Sequence, residues 1–447
     1  MDYLPTSEEQ QEEMLAELGV ESVEELFEDI PAEIRDRFEP TGIDGHDEMA
    51  VDNKLTELAS KNDSSSNRTQ FLGGGVYDHF IPSLVDHVTG RSEFYTAYTP
   101  YQAEISQGTL TWMFEFQSHV AELTGMDIAN SSMYDGASAT AEAVHLCLRV
   151  REGNKAIVAE NLNPRYRQVL ETYLPGSENE IIDLPSEGGR IDRKKLQELI
   201  EEEEGIASVV LQSPNYFGLV EDLGEIEEYL NDEMLVVATN PLSLGIFEPP
   251  GNFGADVVTG EGQPLGNPPN YGGPLLGLFA TKKEYIRALP GRVSGLTTDN
   301  QGNEGYVMAL QTREQHIRRE NATSNICTNQ ALNALAATVY LTSLGPEGFQ
   351  EVARLNWDKA HYLASRIEEI SGFSLEWDAP FFNEFTVRVE GGAEKAWKEL
   401  HRAEIDTLHP KYLYPLGLKE HLLIAVTEKR THGEMDRLVE VLKGAKL

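Results

Sequence analysis

ADVVTGEGQPLGNPPNYGGPLLGLFAT, residues 255–281, sets two short apolar runs around a Gly- and Pro-rich loop whose polar members are Glu261, Gln263, Asn267 and Asn270. Short continuous apolar runs rich in β-branched residues, bounded by turn formers, are expected of strands buried on both faces. KAIVAE (155–160), ASVVLQS (207–213) and MLVVATN (234–240) have the same character, and helical periods separate these earlier runs. The economical assignment is an α/β domain, a mainly parallel sheet covered by helices. Ligands of such sheets sit beyond the carboxyl ends of strands, and loops there often carry the reactive group. This loop has no Lys, Cys, His or Ser.

Outward from that loop the chain divides into three. Residues 1–67 read as a helical arm. There Ser22 and Glu25 have the spacing of a capping box before Val23, Leu26, Phe27 and Ile30, Pro31 ends the helix, and NDSSSN (62–67) is a linker. Residues 68–329 form the large α/β domain. Residues 330–447 form a smaller α+β domain, with a helix in ALNALAATVYLTSLG stopped at Gly345-Pro346 and two further helices, EGFQEVARL and NWDKAHYLASRIEEI. The strands expected there are FSLEW, EFTVRV and LLIAVTE. A chain of 447 residues is long enough to bury a core in each of the larger parts.

Charge narrows the possible partners. With 36 Lys and Arg against 75 Asp and Glu the formal net charge is −39, which repels nucleic acid and anionic membrane surfaces. The acid is spread along the chain as a solvated coat. Self-repulsion on this scale calls for screening, which acts within about 3 Å at 1 M salt, so a salt-rich cytoplasm is expected. The two cysteines, Cys147 and Cys327, make no spaced set, as in a reducing compartment, and Cys147 falls in the apolar helical run ATAEAVHLCLRV. The first residues have neither the basic start nor the apolar run of a signal peptide, and no stretch of about 18 apolar residues occurs. A cytoplasmic protein is the expectation.

Five places could carry chemistry. Gly136 and Ser138, in SSMYDGASATAEA, stand at a helix start, where backbone N–H groups suit an anion and where ordinary Ser capping explains the pattern equally well. Asn240 ends a strand about twenty residues before the opening loop. In pyridoxal phosphate enzymes built on this kind of sheet, that strand end usually carries an Asp for the pyridinium nitrogen, and the later loop carries the Schiff-base Lys. Here an amide occupies one place and Glu261-Gly262-Gln263 the other. Lys282 and Lys283 come one strand too late and read as a surface pair. Tyr95, Tyr98 and Tyr101, spaced by three in RSEFYTAYTPYQAEISQGTL, suit a pocket wall or an interface, and ordinary packing beneath the arm explains them equally well. Arg313, His316, Arg318 and Arg319 suggest an internal ion-pair network, an acidic partner, or surface pairing with Glu314 and Glu320. No metal-ligand spacing is present, and no metal is expected.

Four stretches carry a resemblance: FLGGGVYDHFIPSLVDHVTGRSEFYTAYTPYQAEISQGTL, GMDIANSSMYDGASATAEA, GEGQPLGNPPNYGGP and QTREQHIRRENATSNICTNQALNALAATVYL. They resemble the glycine dehydrogenase (decarboxylating) family, the P protein of the glycine cleavage system, and within it the subunit 1 form, over the whole chain. The resemblance implies the aspartate aminotransferase-like fold, fold type I of pyridoxal phosphate enzymes. It also implies a division of labour: subunit 2 carries the cofactor Lys and the pyridoxal phosphate, and subunit 1 is a lysine-free relative paired with it as α2β2. The family decarboxylates glycine and passes the aminomethyl group to the lipoyl arm of the H protein.

On that footing no catalytic residue of its own is expected. Tyr95, Tyr98, Tyr101, Gln102, Ser106 and Gln107 are expected to line the partner's active site or channel, and Gly136, Ser138, Asn240, Glu261 and Gln263 to be a vestigial cofactor region. Asn321 stands where many relatives have Lys, and Asn240 where relatives often keep Asp. The competing expectations are a non-catalytic scaffold for subunit 2, and an independent pyridoxal phosphate enzyme using a Lys such as Lys282.

Overall fold

The computed structural model describes residues 6–39, 42, 45–174, 178–271, 273–326 and 328–445. Two compact units meet between Ser64 and Ser65. The first holds helices Glu8–Leu18 and Glu48–Ala59, whose first turns are capped by the side chains of Ser7 and Asp47. The capping box expected at Ser22 does not form. Glu25 reaches instead to the Glu21 N–H at 3.1 Å and to the Ser22 hydroxyl at 3.3 Å, so the loop closes one residue early and Val23–Phe27 is a 3-10 turn. Pro31 is the residue that starts the next helix, Ala32–Arg35. None of these helices buries a side chain.

The second unit is built on a seven-stranded sheet: β1 (Ile128–Ala129), β2 (Lys155–Ala159), β3 (Glu180–Leu184), β4 (Ile206–Gln212), β5 (Met234–Thr239), β6 (Val257–Glu261) and β7 (Gly277–Thr281). Its spatial order is β1-β7-β6-β5-β4-β2-β3. Strands β2 to β6 are parallel, and β7 runs antiparallel to both its neighbours.

The apolar runs are continuous because both faces are covered, and alternate residues enter different cores. Ile157, Val209, Val237 and Val258 pack with Leu110, Met113 and Phe116 of helix α1 (Gln107–Thr124). Val158, Val210, Val236 and Val257 pack with Val144 and Leu146 of helix α2 (Gly136–Val150). Each such side chain contributes about 1.5–3 kcal/mol of burial. Helix α3 (Pro164–Tyr173) follows β2, and a hairpin of β8 (Val293–Thr298) with β9 (Glu304–Ala309) follows β7.

The C-terminal part is entered through α4 (Ala331–Glu368), broken at Gly345, whose φ of 61° suits glycine and from which Pro346 restarts the helix. The two short helices expected after this point are one continuous helix. It packs against an antiparallel sheet of β10 (Phe373–Leu375), β11 (Glu384–Val389) and β12 (His421–Ala425), with Ala360, Leu363 and Ile367 in a common core with Val387 and Leu423.

Candidate functional site

Parallel order brings the carboxyl ends of β5 and β6 to one sheet edge, facing the start of α2. Glu261, the last residue of β6, is buried there. Its Oε2 accepts the N–H of Gly136 at 3.0 Å, and its Oε1 accepts those of Gln263 at 2.9 Å and Leu276 at 2.8 Å. Asp135 caps the same helix, taking the Ser138 N–H at 2.7 Å while the Ser138 hydroxyl accepts the Asp135 N–H at 3.3 Å. The anion position expected at Gly136 and Ser138 is therefore taken by carboxyl groups of the chain itself. Tyr166 of α3 closes over it: a Cβ on Gly136 would stand 2.1 Å from the Tyr166 hydroxyl. Burial pushes the Glu261 carboxyl up to about 8, against the opposing pull of its three N–H donors.

A second buried carboxyl, Glu384 at the start of β11, accepts the Gly74 N–H at 2.7 Å and the Tyr77 hydroxyl at 3.0 Å. Burial pushes it up to about 7. Gln263 links the two carboxyls. Its Oε1 accepts the Tyr77 N–H at 3.0 Å, and its Nε2 donates to the Tyr77 carbonyl at 3.0 Å and the Asn267 carbonyl at 2.6 Å. The loop quoted at the outset is thus tied to residues 74–77 and, through them, to the C-terminal sheet.

Asn240 directly follows β5 at this edge, one residue past the strand end its spacing implied, and its Oδ1 accepts the Leu242 N–H at 3.1 Å and caps the turn Pro241–Gly245. The cavity left among Tyr77, Tyr166, Asn240, Glu261 and Glu384 is about 30 Å³, with no Lys or Arg in its lining. Pockets for drug-sized ligands run to about 300–1,000 Å³, so this one has room for water and none for pyridoxal phosphate. The residues do not fit that cofactor: no amine is present, and the helix start is taken.

Lys282 lies elsewhere. Because β7 is antiparallel, with Gly277 opposite Glu261 and Thr281 opposite Val257, its end returns to the far edge of the sheet. There the Lys282 Nζ pairs with Asp256 at 2.8 Å. Among the described residues no ion-pair network forms in the arginine cluster. Arg313 is buried with Nη2 on the Gly291 carbonyl at 2.7 Å, Arg318 donates to the Thr312 carbonyl at 3.2 Å, and Glu314 is paired with His316 at 3.5 Å. Cys147 is buried, and burial pushes its thiol up, while Cys327 lies outside the described residues.

Tyr95, Tyr98 and Tyr101 are 67%, 75% and 79% exposed. Gln102 is exposed and Ser106 half-buried. Gln107, grouped with them on sequence, is committed within the chain: Nε2 donates to the carbonyls of Ala103 and Tyr306 at 2.7 and 2.9 Å, and Oε1 accepts the Tyr306 N–H at 2.8 Å. Sequence reasoning missed Tyr77, Tyr166 and Glu384. Tyr77 lay in a quoted motif, whereas nothing local marks Tyr166 or Glu384.

Strand order, the helix after β1 and the closed loop after β6 define a fold type I domain of the pyridoxal phosphate enzymes. A sphingosine-1-phosphate lyase from Burkholderia pseudomallei shares this fold at a TM-score of 0.63 and 14% identity, over 91% of this chain and 92% of the other. Residues 1–442 match the family model described as Glycine cleavage system P-protein, and the chain belongs to that family. It is 48% identical, over 99% of its length and 100% of the relative, to a protein of Carboxydothermus hydrogenoformans named probable glycine dehydrogenase (decarboxylating) subunit 1. It also matches the crystal structure of a glycine decarboxylase (P-protein) of the glycine cleavage system in inhibitor-bound form, at a TM-score of 0.91 and 41% identity, over 99% of this chain and 100% of the other. Among the described residues no helix is long and apolar enough to cross a membrane, and no His, Cys, Asp and Glu group is arranged to hold a metal.

Proposed function

We propose that this chain is the cofactor-free subunit of a cytoplasmic two-subunit glycine decarboxylase, inactive alone and active as α2β2 with a subunit 2 that holds pyridoxal phosphate. Held by that partner, the cofactor would supply the electron sink for decarboxylation of glycine, and the H protein's lipoyl arm would receive the aminomethyl group. The single observation that carries this reading is the Glu261 carboxyl seated on the Gly136 N–H, so that a group of the chain itself occupies the helix start where enzymes of this fold would seat a cofactor phosphate.

The contribution of this chain is then one of position. The segment 95–106 presents Tyr95, Tyr98 and Tyr101 to the partner, with Gln102 and Ser106 beside them, to line its substrate or lipoyl channel. Their exposure supports that role, since large amphipathic rings standing in solvent are typical of surfaces that become covered. Gln107 holds the segment's root against β9.

The test is co-purification with subunit 2, followed by glycine-dependent CO2 exchange with lipoylated H protein. Tyr98→Phe and Tyr101→Phe are expected to lower turnover or lipoyl transfer in the assembled complex. Normal values for both variants would contradict the channel role. Full activity of subunit 2 alone would reduce this chain to a scaffold.

A further inference from the structure

A cavity of about 430 Å³ opens between residues 95–99, Arg292 and the first residues of α4. It shares no lining residue with the closed cavity at Glu261. Its lining contains one charged side chain, Arg292, and no Asp or Glu, in a chain of net charge −39. Arg292 is only 9% exposed. Its guanidinium nevertheless makes a single hydrogen bond, from Nη1 to the Thr99 hydroxyl at 3.3 Å, and among the described residues no carboxylate pairs with it. A guanidinium carries five N–H donors, so most of this one has no protein acceptor. The remaining N–H groups are not sealed from solvent and are available to an anion in the cavity.

A second feature points to the same kind of partner. Ala331, Leu332 and Asn333, the first turn of α4, line the cavity. Among the described residues their N–H groups have no acceptor, and Gln330 supplies no side-chain cap. An anion placed there meets a guanidinium and an open helix start together.

The rest of the lining is mixed: Tyr95, Ala97, Tyr98, Pro274 and Leu332 give it an apolar wall, and threonines and amides supply polar groups beside it. We propose that this cavity binds a small monocarboxylate with an apolar body, its carboxylate on Arg292 and the start of α4 and its body against the tyrosines. One guanidinium accounts for one carboxylate. Glycine, which has no apolar body to set against the tyrosines, is expected to bind more weakly. The volume lies in the range of small-molecule pockets and exceeds what one acidic side chain of another protein would fill. The site shares Tyr95 and Tyr98 with the channel-lining segment of the proposed function, and its binding is tested on this chain without the partner.

The experiment is calorimetric titration of the full chain with hexanoate, 1-hexanol and glycine at constant ionic strength. Hexanoate is expected to bind, with hexanol, glycine and the Arg292→Gln variant each at least tenfold weaker. Ala97→Trp, at an exposed position, fills the mouth without touching the guanidinium and is expected to abolish hexanoate binding even if Arg292→Gln does not fold. Absence of hexanoate binding, equal affinity for hexanoate and hexanol, or unchanged binding by Ala97→Trp would each overturn the proposal.

Discussion

The carboxylate of Glu261 accepts the backbone N–H of Gly136 at 3.0 Å across 125 residues of chain. That contact joins the end of β6 to the start of α2, the two places where a fold type I enzyme would hold the reactive end and the phosphate of its cofactor. In this chain they hold each other.

Removing the carboxylate should therefore recreate an anion site. In Glu261→Ala, three backbone N–H groups lose their acceptor, at a cost of at least about 2 kcal/mol in stability. Inorganic phosphate should raise the melting temperature of this variant and leave the parent chain unaffected at matched ionic strength, through binding to the vacated helix start. An equal response of both chains to phosphate would show that the helix start is not the site.

Glu384 contributes to the pH dependence of stability, with the same sign as Glu261, whose carboxyl burial pushes up to about 8. Burial holds the Glu384 carboxyl at about 7 in the folded chain, against an ordinary value of 4.5. The folded chain keeps this proton while the unfolded chain has lost it, so stability falls as pH rises from about 4.5 through 7 and levels off beyond. The displacement corresponds to about 3 kcal/mol. Glu384→Gln retains an acceptor for Gly74 and a neutral neighbour for Tyr77, so its unfolding free energy should change less than that of the parent between pH 5 and pH 8. Parallel profiles for the two chains would exclude Glu384 as the source.

Salt should stabilise the whole molecule. A net charge of −39 repels itself less as KCl shortens the screening length from about 10 Å at 0.1 M to 3 Å at 1 M. The melting temperature is expected to climb across that range, and a flat response would remove the expectation of a salt-rich cytoplasm.

Much of this was legible in the residues. The runs at 155–160, 207–213, 234–240 and 255–260 are strands or contain them because helices cover both faces of the sheet, and burial on two faces leaves a continuous apolar signature. Direction leaves none: nothing in LGLFAT announces that β7 runs antiparallel, yet that reversal carries Lys282 to the far edge and to Asp256. The loop's missing nucleophile was visible, but the partners of Glu261 and Gln263 were not, because Gly136 and Tyr77 lie more than a hundred residues away and meet them only in the folded chain. Ser22 shows the local limit, since its spacing matched a capping box while Glu25 had a nearer N–H to take. Arg292 drew no notice in the sequence because its lack of a carboxylate is a property of the fold.

The central claim is that this polypeptide cannot hold the cofactor of its own family. The most direct measurement is incubation of the isolated full chain with pyridoxal phosphate, borohydride reduction, and peptide mapping for modified lysine, with the visible spectrum recorded before reduction. The account predicts the spectrum of free cofactor and no site-specific lysine adduct, whereas the same treatment of the complex labels only subunit 2. A stoichiometric adduct on one lysine of this chain, with a matching visible band, would contradict it.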